Sequence, residues 1–212
     1  MPNPIYTEIE LPEIVQKANE LANELGFPLM PEGRPAGHKG PPSACITQVG
    51  RLLQVLASGK PGGRIGEQGT GAGVGTAWLA SGLGSEAKLI SVEIDIKHAN
   101  AVAKLFAAYP NVEIRIGDWR DVMSPQEPYD LLFVDAMPRA DLVPSKWDAI
   151  TDLLKIGGQI VMDDLVPVEL WPADWDEIVD AKRQYAFANP RVRGTEVLTT
   201  PSTSALIITR IK

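Results

Sequence analysis

Residues 67–75 read Glu-Gln-Gly-Thr-Gly-Ala-Gly-Val-Gly, and no other run limits the fold so strongly. It follows a short apolar segment, Arg64–Gln68, and leads into a helical stretch through Trp78 and Ala80. Strand, glycine turn and helix in that order build the ligand-binding corner of open α/β sheets, where glycines let a ligand approach the backbone. The register does not fit the pyrophosphate fingerprint Gly-x-Gly-x-x-Gly. Counted from Gly69 its last place falls on Val74, and counted from Gly71 on Thr76. The order is instead acid-x-Gly-x-Gly-x-Gly. A carboxylate ahead of the glycines repels phosphate and suits a cofactor with a cationic end. Glu93 stands 24 residues after Gly69 and closes the next apolar run. An acid there accepts hydrogen bonds from both hydroxyls of a ribose. An adenosine ligand is therefore expected; the plain alternative is a tight turn with Glu93 solvated.

The same alternation continues along the chain. Apolar runs at Arg64–Gln68, Lys88–Ile94, Val112–Ile116, Tyr129–Val134 and Gln159–Met162 are separated by about the length of a crossover helix. This predicts an α/β fold, doubly wound, with a mostly parallel seven-stranded sheet and helices on both faces. Gly194–Thr199 and Ser204–Ile211, joined by Thr200–Thr203, end the chain as an antiparallel hairpin. Ahead of the sheet, Leu11, Ile14, Val15, Ala18, Leu21, Ala22 and Leu25 repeat at helical spacing, and so do Ile46, Val49, Leu52, Leu53 and Leu56. The proline- and glycine-rich stretch 27–42 lies between them. We expect one domain over 1–212, with 1–60 as a helical cap and 61–212 as the cofactor-binding core.

Charge narrows the partners. With 27 acidic and 20 basic residues the formal charge is −7, and the basic residues are not clustered, which disfavours nucleic acid and anionic membranes. A small molecule or a divalent cation suits it better. The single cysteine, Cys45, cannot form an intramolecular disulfide, and no run approaches a membrane span. Met1–Glu20 lacks the apolar stretch of a secretory signal, so a cytoplasmic location is expected.

Over Pro61–Lys212, on these glycines, Glu93 and the terminal hairpin, the chain resembles the class I S-adenosylmethionine-dependent methyltransferases. The resemblance implies that Glu67 fixes the methionine end of S-adenosylmethionine, that Gly69, Gly71 and Gly73 back the ligand, and that Glu93 binds its ribose. Gly117-Asp118-Trp119, after the third strand, is similar to the adenine-contact turn of that family, with Asp118 reaching the exocyclic amine. A plain Asp turn is the alternative.

In the methyltransferase strand order the fourth and fifth strands are neighbours. Asp135 ends one and Asp163-Asp164 the other. Three carboxylates so placed repel one another or take up protons unless a cation neutralises them. All-oxygen ligation points to Mg²⁺, Mn²⁺ or Ca²⁺. This arrangement resembles the catechol O-methyltransferase group, and so does His38-Lys39-Gly40, which is similar to a loop bordering the cofactor there. Carried over, Asp135 belongs both to the cofactor residues and to the metal and catalytic set. The metal binds vicinal oxygens of a hydroxylated acceptor. One departure matters: that group carries a lysine shortly after the Asp of strand four, and here Arg139 follows Asp135. Arginine stays protonated and can stabilise an oxyanion but cannot be a general base. Lys39 and Lys146 are other sources of positive charge, and helix capping and turn formation are the bland role for the aspartates. Trp147, Trp171 and Trp175 are candidates for an aromatic pocket, Trp171 foremost, with core packing as the alternative; His98 and Cys45 receive no role. A metal-independent methyltransferase, a non-catalytic adenosine-binding protein and a nicotinamide-dependent oxidoreductase stay open, and the amino-terminal helices are an expected homodimer contact by analogy.

Overall fold

The short apolar runs become strands, and the stretches between them become helices. This computed structural model describes residues 10–30, 42–124, 127–136, 143–175 and 180–212. Two helices, α1 (Glu13–Leu25) and α2 (Thr47–Ser58), precede the sheet. Then follow β1 (Arg64–Gln68), α3 (Val74–Ser81), β2 (Lys88–Glu93), α4 (Ile96–Leu105), β3 (Val112–Ile116), α5 (Trp119–Val122) and β4 (Tyr129–Val134). The remainder holds α6 (Pro144–Asp152), β5 (Leu154–Leu165), α7 (Ala181–Ala188), β6 (Val192–Leu198) and β7 (Ser204–Arg210).

The seven strands lie in the order β3-β2-β1-β4-β5-β7-β6. Pairs among β1 to β5 are parallel, and β7 runs antiparallel to both β5 and β6. Strand order therefore reverses between β1 and β4, the place where open α/β sheets bind ligands at their carboxyl ends.

Alternate side chains bury against different helix layers. Ile90, Val92, Leu132, Val134, Ile160 and Met162 pack with Trp119 of α5, Trp147 and Ile150 of α6, and Tyr185 of α7. The intervening Leu89, Leu131, Phe133 and Val161 pack with Val49 and Leu53 of α2 and Leu79 of α3. Such two-faced burial explains why the central strands read as unbroken apolar runs. Each large side chain so enclosed contributes about 1.5–3 kcal/mol. The first helix ends as expected, with Gly26 in the left-handed region at φ 67.

One strand is longer than its sequence shows. β5 begins at Leu154, where the hydrophobic pattern places its start at Gln159. Its first residues pass Tyr129 through a register shift, so that Tyr129 pairs with Leu154 but Leu131 with Gln159. Lys155, Gly157 and Gly158 occupy that bulge and hide the strand from a reading of apolar residues. No helix among the described residues is long and apolar enough to cross a membrane.

Candidate active site

Every parallel strand delivers a polar group to the same edge. Gln68 and Gly69 follow from β1, Glu93 from β2, Asp118 from β3, Asp135 from β4, and Asp163-Asp164 from β5. The turns are stitched together by main-chain bonds. Gly69 N donates to Val92 O at 3.0 Å, Gly117 N to Glu93 O at 2.9 Å, and Asp135 and Ala136 N both to Gln68 O, at 3.1 and 3.0 Å.

Gly69 needs its missing side chain as well as its left-handed backbone. Its φ is 93, and a Cβ there would stand 2.4 Å from Ala136 Cβ. The close approach of the first turn to the β4 turn thus depends on glycine. Gly71 and Gly73 are also left-handed, at φ 53 and 83.

A cavity of about 190 Å³ opens between these turns, lined among others by Gln68, Glu93, Asp118, Trp119 and Ala136. Glu93 is 9% exposed. Its Oε2 accepts the Gly71 N–H at 2.8 Å and its Oε1 the Asp95 N–H at 2.9 Å. Gln68 Nε2 donates to Ala136 O at 2.7 Å, whereas Gln68 Oε1 is buried without a partner. Asp118 caps α5 by accepting from Arg120 N at 2.9 Å and also accepts from Arg120 Nε at 2.8 Å. The bond from the Arg120 guanidinium pulls the Asp118 carboxyl down to about 2. The cavity wall therefore carries the carboxylates of Glu93 and Asp118 beside Trp119. That donor-seeking, partly apolar lining fits a nucleoside with ribose hydroxyls and an exocyclic amine.

Glu67 stands apart from the cavity lining. It is fully buried, accepting from Ser91 Oγ at 2.5 Å and from the Thr76 hydroxyl, and its Oε1 has no partner. Room for it comes from Gly75, where a Cβ would lie 2.3 Å from Oε1. Burial pushes the Glu67 carboxyl up to about 8, against the hydrogen bonds of Ser91 and Thr76. Its carboxyl ties β1 to β2 and α3 beneath the glycine turn. Spacing alone identified the acid; Thr76, Ser91 and Gly75, which hold it, carried no signal of their own.

Asp135, Asp163 and Asp164 do come together. Each offers a carboxylate oxygen, and these lie within 4.8 Å of one another. The cause is local: pairing of β5 with β7 shifts register between Met162 and Leu165, and Asp164 takes φ 59 in that shift. Asp tolerates this left-handed geometry better than most residues. Asp163 is buried, whereas Asp135 and Asp164 reach solvent. Although residue 135 has exposed surface, the protein packed around its carboxyl, then the charges of Asp163 and Asp164, hold that carboxyl well above the usual carboxylate range. Clustered hard oxygens of this kind fit a divalent cation. Asp135 is followed directly by Ala136 in the cavity wall, so cluster and cavity adjoin.

A second cavity of about 190 Å³ lies under the amino-terminal helices, lined among others by Leu29, Met30, Ala44, Cys45 and Ile46. Burial, and after it the charges of Asp163 and Asp135, push the Cys45 thiol well above its usual range. The tryptophans go elsewhere. Trp147 stacks on Tyr185 at 4.8 Å inside the core. Trp171 donates from Nε1 to Val166 O at 3.0 Å and lines neither cavity. Arg139 and the run His38-Lys39-Gly40 lie outside the described residues. One cation that the sequence left unmarked, Lys182, donates from Nζ to Asp163 O at 3.0 Å.

Known proteins share this arrangement of elements. Residues 67–165 match the family model described as a methyltransferase domain. A catechol O-methyltransferase of Mycobacterium tuberculosis is 32% identical over 132 residues, which cover 59% of this chain and 59% of that relative. The match thus spans less than two thirds of the relative's length. In fold, the O-methyltransferase TomG from Streptomyces achromogenes, in complex with SAM, superposes with a TM-score of 0.73 at 22% identity, over 98% of this chain and 95% of that one. An O-methyltransferase from Bacillus cereus, in complex with SAH, gives 0.70 at 23% identity, over 97% and 93%.

Proposed function

We propose, from the premise that this chain carries the class I methyltransferase fold and a methyltransferase domain over residues 67–165, that it transfers a methyl group from S-adenosylmethionine to a hydroxyl oxygen of a small molecule. One observation carries the reading: a nucleoside-sized cavity with Glu93, Asp118 and Gln68 in its wall adjoins a three-carboxylate cluster at the carboxyl end of β4.

Each residue has a part in it. Glu93 takes the ribose hydroxyls, its oxygens keeping lone pairs beyond the two backbone bonds. Asp118 takes the adenine amine and Trp119 lies beside the base. Gly69, Gly71 and Gly73 let the ligand close on the backbone, and Glu67 holds that turn in place from below. When bound, S-adenosylmethionine supplies a sulfonium methyl carbon, and its sulfur retains the electron pair as the new carbon–oxygen bond forms. Asp135, Asp163 and Asp164 would hold a divalent cation, Mg²⁺ by preference, whose charge lowers the pKa of an acceptor hydroxyl. The hydroxyl proton leaves to solvent. Arg139, from the segment after Asp135, stays protonated and balances the acceptor oxyanion.

The acceptor is a small hydroxylated molecule of catechol type, for which the cavity of Leu29, Met30 and Cys45 offers an apolar wall. The name of the Mycobacterium tuberculosis relative supports that choice, and the paired oxygens of a catechol suit a chelated cation. A cytoplasmic location and a homodimer contact through the amino-terminal helices belong to the same reading, the first supported by the net charge of −7 and a single cysteine. The test is calorimetric titration with S-adenosylmethionine, followed by methyl transfer to a catechol with Mg²⁺ or a chelator present. Micromolar cofactor binding and chelator-sensitive transfer are expected; failure of the wild-type chain to bind S-adenosylmethionine overturns the reading.

A further inference from the structure

The first turn of α7 brings one more charged group to the carboxylates. Lys182 stands in the first turn of α7, two residues after the cap Asp180, and its Nζ donates to the Asp163 carbonyl at 3.0 Å. A cation at a helix amino terminus opposes the helix dipole, so α7 itself gives no reason for a lysine there. The neighbouring cation is fully engaged. Arg183 is ion-paired with Asp180 and Glu196 and donates to Val166 O at 2.8 Å. Lys182 reaches Asp163, one of the three cluster residues. There its ammonium stands against the backbone of Asp163, whose carboxylate lies within 4.8 Å of those of Asp135 and Asp164.

We infer that Lys182 is the built-in counter-cation of the Asp135, Asp163 and Asp164 cluster, and that it sets how tightly this cluster takes a divalent cation. The inference rests on the cation site proposed above, and not on transfer activity. Three carboxyl groups within 4.8 Å of one another attract a divalent cation strongly, and an ammonium at their margin repels it. The result is a cation site that loads weakly and exchanges readily. An ammonium has three donors, so the bond to the Asp163 carbonyl engages one and leaves two. The charge therefore enters from the first turn of α7, and not from the segment that follows Asp135.

The experiment is titration of Mn²⁺ into the cofactor-free full chain by calorimetry, for wild type, Lys182→Met and Lys182→Arg, with thermal melts alongside. Lys182→Met, which keeps the stem and removes the charge, should bind Mn²⁺ about tenfold more tightly. Lys182→Arg should stay near wild type. The gain in Lys182→Met should vanish when Asp135→Asn is added, which ties it to the cluster. Equal affinity in all three chains overturns the inference, as does absence of Mn²⁺ binding from every one. Weaker binding by Lys182→Met together with a lowered Tm also overturns it, since that pattern marks a strut for the Asp163 backbone. Failure of wild type to bind S-adenosylmethionine, with the Mn²⁺ series as expected, overturns the methyltransferase reading and leaves this one standing.

Discussion

Glu93 Oε2 accepts the backbone N–H of Gly71 at 2.8 Å, which locks the acid that closes β2 to the glycine turn that follows β1. Two features that the sequence sets far apart thus form one wall of the cavity, and the carboxylate holds the turn in the shape a ligand meets. Glu93→Ala should remove both the ribose acceptor and this tie. Loss of a buried charged hydrogen bond costs about 1.5–3 kcal/mol, so S-adenosylmethionine affinity should fall about 10- to 100-fold by calorimetry. Glu93→Gln should fall less, because it keeps one acceptor oxygen. Unchanged affinity in both variants would place the ligand elsewhere.

The buried Glu67 makes stability depend on pH in an unusual direction. Burial pushes its carboxyl up to about 8 in the fold, against an ordinary value of 4.5. Between these values the folded chain holds a proton that the unfolded chain has lost. The stability it contributes is complete below pH 4.5 and is lost as pH rises through 8, with a slope of at most about 1.4 kcal/mol per pH unit. Glu67→Gln removes the titration. Urea midpoints taken from pH 5 to 8 should decline more steeply for wild type than for Glu67→Gln, and parallel curves would refute the assignment.

Much of this was legible in the chain for a physical reason. Lys88–Glu93 and Tyr129–Val134 are covered on both faces, so their apolar residues run together and mark strands without ambiguity. The acids at strand ends were legible because a parallel sheet gathers its carboxyl ends at one edge. What stayed hidden depended on direction and packing. The spacing identified Glu67 but not that it turns down to Thr76 and Ser91 through the gap at Gly75. Lys182 lay beyond reach because the chain between β5 and α7 has no period from which to place it. Trp171 looked like a pocket residue by position, whereas its indole N–H is taken by Val166 O.

The helical layer over the sheet depends on a glycine that the nucleotide motif does not include. A Cβ at Gly50 of α2 would stand 2.2 Å from the indole of Trp78, a ring buried at 1% exposure. Neither partner has space to yield. Gly50→Ala should destabilise the chain by about 1–3 kcal/mol through overpacking, despite the better helix propensity of alanine. Thermal melts should show this as a drop of several degrees, and a neutral or raised Tm would mean that α2 shifts freely on α3.

The carboxylate cluster should cost stability until a cation fills it. Asp135 is crowded by Asp163 and Asp164, and its carboxyl is held well above the usual range by burial first and by these charges next. A group raised in this way contributes stability that is lost as pH increases, so at neutral pH the metal-free cluster carries net strain. Asp135→Asn relieves one repulsion while keeping the shape of the side chain. It should raise the Tm of the chelated protein, with a gain on the order of 1 kcal/mol. It should also abolish the stabilisation that Mg²⁺ or Mn²⁺ gives the wild type, since ligand binding to the folded state alone is what raises its melting point. The two effects separate a binding site from a set of capping residues. Aspartates that serve only as caps would give a lower Tm on substitution and no response to the cation in either chain.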